Sequence, residues 1–519
     1  MKRTALLLFF GALLICNPVV ASGLRIMESM VMKSRILKTN VHFSVILPKG
    51  YYNTKKSYPV VYLLHGLGDD ETSWLEYGQI SQYADKSVES DETVPMIFIM
   101  PEAFRTYYVN DYKGSFLYQD MFVKELVPYI DSLFRTKADR QHRALMGYSM
   151  GGFGALNLHL KHPDVFGSAV PLSISVRTDE QYITEEASGW DDQWGRLFGE
   201  PGLKGKDRIT DYYKQNSPFY IFSQMPASEI EQLNIYIDNG DKEQTLCRSN
   251  EELHILMRNL NIPHEFRVRD GGHSFQYWCS GLPNALRFIS DAFEGKIYRG
   301  DTPVKTSDSE LPEKQLRKLT ILNETTFVYV PAEYDESNRL CPVLYFAGDI
   351  TASQQKAIAG VVNSKIKKNK VCPMLVVFLP GNVSTQIENA LPELEEKLRI
   401  RKGYRFRVIA GYQAEVTDVC KVALKEQFIA CILSDGYLSK DLFSGLISEM
   451  KPKALEKTSF YIDAPDKGNC FEGNGNAHML LRDKDLQHEY RVREGKGGFD
   501  FFLSGLPEIL SFTAKRFHK

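Results

Sequence analysis

No C-x-x-C pair occurs in the chain, and its 8 cysteines are scattered. That excludes a disulfide framework and a cysteine-based zinc site, and leaves room for one isolated disulfide at most. An excess of either charge is also missing. The formal net charge is -2, which gives no electrostatic case for nucleic acid or an anionic membrane. Beyond the first residues, no apolar run is long enough to span a bilayer. Tryptophan is absent beyond residue 278: the four are Trp74, Trp190, Trp194 and Trp278.

What is present is globular: 43% hydrophobic and 25% charged residues over 519 positions. That length calls for two or three domains. The N-terminus has the layout of a secretory signal. Lys2 and Arg3 precede an apolar stretch from Thr4 to Cys16, and Val19-Val20-Ala21 offers small residues for cleavage. The expectation is a signal peptide over 1–21 and an exported mature protein, periplasmic or secreted.

Residues 36–47 alternate like a strand and stop at Pro48. Residues 58–64 and 96–100 are continuous apolar runs, as in a parallel sheet buried on both faces. Helical periodicity covers 118–134 (Phe122, Leu126, Tyr129, Ile130, Leu133). Further strands are predicted over 142–146, 169–172, 233–237 and 265–269, and helices over 153–160, 250–260 and 284–293. Alternation of this kind predicts an α/β fold with a mostly parallel sheet covered on both sides. Residues 296–312 read as a linker.

The remainder repeats the first part. Cys341-Pro342-Val343-Leu344-Tyr345-Phe346 matches Tyr58-Pro59-Val60-Val61-Tyr62-Leu63, and Pro331 and Pro342 keep the spacing of Pro48 and Pro59. Pro373 to Val377 matches Pro95 to Ile99. His488-Glu489-Tyr490-Arg491-Val492-Arg493 matches His264-Glu265-Phe266-Arg267-Val268-Arg269, and Ser504-Gly505-Leu506-Pro507 matches Ser280-Gly281-Leu282-Pro283. Blocks matched in the same order predict a tandem duplication. The expected domains are 22–295 and a smaller copy over 313–519.

Gly147-Tyr148-Ser149-Met150-Gly151 fits a nucleophile elbow, because a predicted strand precedes it and a predicted helix follows. Ser149 is the candidate nucleophile, and the Met150 N–H points where an oxyanion would form. The repeat separates chemistry from fold. The elbow pairs with Gly411-Tyr412-Gln413-Ala414, which keeps the turn and loses the serine. His273, between glycines and Ser274, pairs with Gly497, whereas His264 survives as His488. His273 is therefore the candidate base and His264 a structural histidine. In Asp238-Asn239-Gly240-Asp241-Lys242-Glu243 both aspartates have counterparts, Asp463 and Asp466, and only Glu243 is lost, to Gly468. Glu243 is the preferred acid and Asp241 the alternative. The second oxyanion N–H is assigned to Leu67 in His65-Gly66-Leu67, with Gly66 the alternative. Flat aromatic walls suit sugar rings and aromatic acyl groups. Trp74, Trp190, Trp194 and Trp278, with His65, Asn110 and Tyr148, are candidate substrate-binding residues; core packing is the competing role for the tryptophans.

Residues 34–294 resemble the esterase D-type α/β-hydrolases, specifically carbohydrate esterase family 1, which includes feruloyl and acetylxylan esterases. The residues that carry the resemblance are His65-Gly66 with Trp74, Tyr107 to Asn110, Gly147 to Gly152, Asp238-Asn239-Gly240 and Gly271-Gly272-His273. It implies two tandem α/β-hydrolase domains, the second catalytically degenerate, and serine-dependent ester hydrolysis without metal or cofactor. The implied substrate is a feruloyl or acetyl ester on a plant polysaccharide or oligosaccharide. Glu243 departs from the aspartate of most relatives. A general short-chain carboxylesterase and a non-catalytic glycan-binding protein are the competing readings. For the second domain, the readings are packing support, glycan binding or support of a homodimer.

Overall fold

A computed structural model describes residues 25–302, 311–348, 350–381, 386–413, 416–426, 428–450 and 455–517. The expected signal peptide, Ala414 and part of the expected linker lie outside these.

Among the described residues the strands form one sheet of sixteen. The first half contributes β1 (Ile26–Lys33), β2 (Asn40–Ile46), β3 (Val60–Leu64), β4 (Ile97–Pro101), β5 (Arg143–Tyr148), β6 (Ser168–Leu172), β7 (Tyr236–Gly240) and β8 (Glu265–Arg269). The second contributes β9 (Leu316–Ile321), β10 (Glu324–Tyr329), β11 (Val343–Ala347), β12 (Leu375–Leu379), β13 (Arg407–Tyr412), β14 (Ala430–Ser434), β15 (Ser459–Pro465) and β16 (His488–Arg493). The order is β1-β2-β4-β3-β5-β6-β7-β8, then β16-β15-β14-β13-β11-β12-β10-β9. Each half thus has the same strand order, and the two run in opposite directions from the seam. There β8 and β16 pair antiparallel at Val268 and Val492. From β3 to β8 neighbouring strands are parallel, and only β1 and β2 add antiparallel pairing.

The apolar composition of the central strands explains their place. Every residue of β3, β4 and β6 is buried, as expected of parallel strands with helices on both faces. Flanking helices include α1 (Met150–Lys161), α2 (Thr245–Asn259), α3 (Phe275–Phe293), α4 (Val416–Glu426), α5 (Phe471–Asp483) and α6 (Phe499–Arg516). α2 and α5 pack on each other across the seam.

Several boundaries differ from the sequence reading. β7 begins at Tyr236, because Leu233 N–H bonds Ile230 O and closes a helical turn there. It runs through Asp238, Asn239 and Gly240, each paired with β8. Asp238 is tolerated inside the sheet because Arg269 Nε donates to it at 2.9 Å. α3 begins at Phe275, where Ser274 Oγ accepts the Tyr277 N–H. The helix over 118–133 contains a π-helical stretch, Phe122–Leu126. β1 gives no clean alternation in sequence because it carries an irregularity in register between Met27 and Met30.

Candidate active site

The carboxyl ends of β3, β5, β7 and β8 carry, in turn, His65-Gly66-Leu67, Ser149, Asp241 to Glu243 and Gly271 to His273. Parallel strands place these four loops on one edge of the sheet, where open α/β sheets build their sites.

Ser149 joins β5 to α1 with φ 56° and ψ -117°. A non-glycine residue held there stores on the order of 1–3 kcal/mol of strain. The backbone fixes it from both sides: its N–H donates to Leu172 O at 3.0 Å and its carbonyl accepts from Ser175 at 3.1 Å. The glycines around it answer to close packing. A Cβ at Gly147 would lie 2.7 Å from Leu64 Cβ, one at Gly152 would lie 2.6 Å from Leu172 O, and one at Gly151 would run into Leu64 O. The Leu64–Leu67 turn therefore lies directly on the elbow. Among the described residues, the N–H groups of Met150 and Leu67 find no acceptor in the protein. Met150 is at the first position of α1, where no intrahelical partner exists.

His273 Nδ1 lies 2.7 Å from Glu243 Oε2. The Glu243 side chain is fully buried, while the His273 side chain is 41% exposed. Ser173 Oγ donates to the other Glu243 oxygen and accepts from Trp278 Nε1 at 2.8 Å. The Trp278 ring stands edge-on to His273, with centroids 5.1 Å apart. The carboxylate is thus held on both oxygens, and one of them faces the imidazole. That can fix the ring and stabilise an imidazolium.

Asp241 is placed differently. Oδ1 accepts the Gly271 N–H at 3.1 Å, and Oδ2 accepts from Arg491 Nη1 of the second half at 2.7 Å. Its carboxylate bonds none of the His273 ring atoms.

Most candidate substrate-binding residues are corrected by their burial. His65 donates from Nδ1 to Gly66 O at 2.8 Å and accepts the Ala103 N–H on Nε2 at 2.9 Å. Burial pushes its pKa down, so it is a neutral brace for the Leu67 turn. Trp74 is fully buried and bonds Leu64 O. Trp190 bonds Glu200 O at 2.9 Å, and Trp194 stacks on Phe198 inside the core. Trp278 belongs to the floor below the histidine, stacked at 4.2 Å on Tyr148. Tyr148 is itself buried, with its hydroxyl on Asp69. Asn110 holds the N-terminal turn of the 118–133 helix: its Oδ1 accepts the Asp120 N–H at 3.1 Å. Rings this deeply packed cannot present a face to a sugar.

Ser173 escaped the sequence reading, although the repeat carries the signal. β6 and β14 align, so Ser173 (φ 45°) takes the position of Asp435 (φ 50°). In the second half Gln413 keeps the elbow conformation with φ 54°. Its Nε2 donates to Asp435 Oδ2 at 3.3 Å, and the same oxygen accepts Gly498 N–H at 2.7 Å. A Cβ at Gly497 would run into the Asp435 carboxylate. Nucleophile, base and acid are all replaced there, by Gln413, Gly497 and Gly468, and Asp435 bridges Gln413 to the Gly498 N–H. Among the described residues no cluster of His, Cys, Asp and Glu is arranged to hold a metal ion, and no helix is long and apolar enough to cross a membrane.

The family model described as "Putative esterase" matches residues 34–289. An esterase of Mycobacterium tuberculosis is 28% identical over 276 residues, covering 50% of this chain and 56% of that protein. An endo-1,4-beta-xylanase/feruloyl esterase of Xylanibacter ruminicola is 36% identical over 135 residues, covering 24% of this chain and 18% of that protein. The chain thus spans about half the length of the mycobacterial relative and less of the second. A solved ferulic acid esterase is 28% identical, with a TM-score of 0.44 and coverage of 51% of this chain and 98% of that one.

Proposed function

On the premise that residues 34–289 belong to the esterase family, we propose that the chain is a serine carboxylic ester hydrolase working through an acyl-enzyme on Ser149. The single observation that carries this is the Glu243–His273 contact of 2.7 Å beside the strained Ser149 elbow, with every member of that set replaced in the second half. His273 takes the Ser149 proton as Oγ attacks the ester carbonyl. The Met150 and Leu67 N–H groups receive the oxyanion. The C–O bond breaks, His273 returns the proton to the leaving alcohol, and water activated by the same imidazole releases the acid. Glu243 holds the ring and the charge it acquires. Among the described residues Ser149 Oγ has no hydrogen-bond partner, and a nucleophile–base bond that closes only with substrate accords with catalysis of this kind.

The proposed substrates are feruloyl or acetyl esters of plant polysaccharides or oligosaccharides, met outside the cell after removal of residues 1–21. The proposed organisation is a catalytic domain over 22–295, a linker over 296–312 and a degenerate α/β-hydrolase domain over 313–519, with no cofactor. Support of a homodimer by the second domain belongs to the same proposal.

A second reading, a general short-chain carboxylesterase, is favoured by one observation: the four tryptophans are buried and offer no sugar-stacking surface. Methyl ferulate, p-nitrophenyl acetate, p-nitrophenyl butyrate and acetylated xylan, assayed with wild type and Ser149→Ala, separate the two. Serine-dependent release of ferulate or of xylan acetate supports the first. A preference for butyrate supports the second, and no serine-dependent release on any ester overturns both.

A further inference from the structure

Two of the ion pairs that cross the seam between the halves are related by the internal repeat. Arg267 on β8 reaches Asp466, and Arg491 on β16 reaches Asp241. All four side chains are buried. Each aspartate also ties two loops of its own half together. Asp466 Oδ1 accepts the Gly495 N–H at 2.9 Å, as Asp241 Oδ1 accepts that of Gly271. The arrangement is reciprocal, so each half clamps a loop junction in the other.

The consequences are not reciprocal. In the second half the clamped loops lead to Gly468 and Gly497 and carry no chemistry. In the first they lead to Glu243 and His273. Asp241 N–H bonds Arg269 O at 3.0 Å and Lys242 N–H bonds Gly271 O at 2.9 Å, so the acid and histidine loops are stitched together at this point. Within the first half, Lys242 also pairs with Asp270 across these loops, and the second half fastens the junction at Asp241. Arg491 Nη1 and the Tyr490 N–H, at 3.3 Å, hold Asp241 Oδ2, and Arg482 donates to the Asp241 carbonyl.

We infer that the degenerate half is part of the catalytic apparatus: Arg491 is a positioning residue that acts through Asp241 to set Glu243 against His273. The inference rests on the proposed esterase reading. With Asp241 and Arg491 buried, water cannot take the place of the missing partner when one is removed. Small displacements of a catalytic group are costly in rate.

The pseudo-symmetric pair supplies the control. In the full chain, Asp241→Asn and Arg491→Gln should each lower kcat on p-nitrophenyl acetate about 10- to 100-fold, with KM within about twofold. Arg491→Lys should recover part of the loss. Asp466→Asn removes the matching bond on the other side of the seam; it should lower Tm to a similar extent and leave kcat within about twofold. Amide hydrogen exchange should quicken at 241–243 and 270–273 in the Asp241 and Arg491 variants and stay at the wild-type rate there in Asp466→Asn. Equal losses of kcat in Asp241→Asn and Asp466→Asn, or unchanged exchange in those two loops, would overturn the inference. Should Asp241→Asn not fold, Arg491→Gln carries the same comparison. An inert wild type contradicts the esterase reading instead, and the exchange measurement still decides the positioning.

Discussion

Glu243 and Asp241 stand on one short loop and face opposite ways. Glu243 Oε2 is 2.7 Å from His273 Nδ1, while Asp241 Oδ2 is 2.7 Å from Arg491 Nη1 of the other half. One carboxylate of this loop thus faces the imidazole and the other faces the second half of the chain. Loss of a triad acid with its geometry kept costs about 10⁴-fold in kcat. Glu243→Gln should fall in that range, and Asp241→Asn should lose no more than about 100-fold. Steady-state rates on p-nitrophenyl acetate check the ranking, and the reverse order would assign Asp241 as the triad acid.

The elbow makes a prediction about folding. A methyl group at Gly151 would run into Leu64 O and lie 2.8 Å from His65 O, both backbone atoms of the turn that carries Leu67. Gly151→Ala should destabilise the chain by about 1–3 kcal/mol or more and disturb the Leu67 turn. Gly445→Ala is the matched control: its site lies within the helix Lys440–Glu449, and nothing stands within 4 Å of the new Cβ. That change should be neutral or stabilising by about 0.5–1 kcal/mol. Thermal unfolding of the two variants should shift in opposite directions or differ by several degrees.

The legible parts of the sequence were those that the repeat or a sharp local rule wrote twice. The elbow, His273 and the shared strand order all follow from matched blocks, because a turn needing glycines and a run of buried β-branched residues leave strong local marks. The tryptophans misled for a physical reason. Whether Trp190 lines a cleft or fills a core depends on Glu200 O closing over its Nε1, a tertiary contact with no local trace. Asp241 survives in both copies for a reason composition cannot carry, since its partner Arg491 lies in the other half of the chain. Ser173 was readable in principle, because it is as divergent between the copies as Ser149. Without β6 and β14 aligned, its partner position was not visible.

A buried carboxyl at the seam gives the pH dependence. Burial raises Glu251 from its ordinary 4.5 to about 8, with the Tyr490 hydroxyl opposing that rise. Its second copy is Gly475, where a Cβ would meet the Glu251 carboxyl at 2.7 Å. The folded chain holds the Glu251 proton more tightly than the unfolded chain does. This contribution to stability is therefore full below pH 4.5 and is lost as pH rises toward 8. Glu251→Gln cannot lose it. The stability of this variant relative to wild type should grow between pH 5 and 8.5, on the order of a few kcal/mol at the upper end. Urea unfolding across that range reads the difference. A gap that stays constant with pH would place the Glu251 titration outside the transition.

The central claim, that chemistry resides on Ser149 of the first half alone, is tested most directly by covalent labelling. The full chain is treated with a fluorophosphonate and examined by intact mass and peptide mapping. One adduct per chain is expected, on the peptide containing Ser149, and none in Ser149→Ala. An unlabelled wild type, or an adduct that persists in Ser149→Ala, would contradict it.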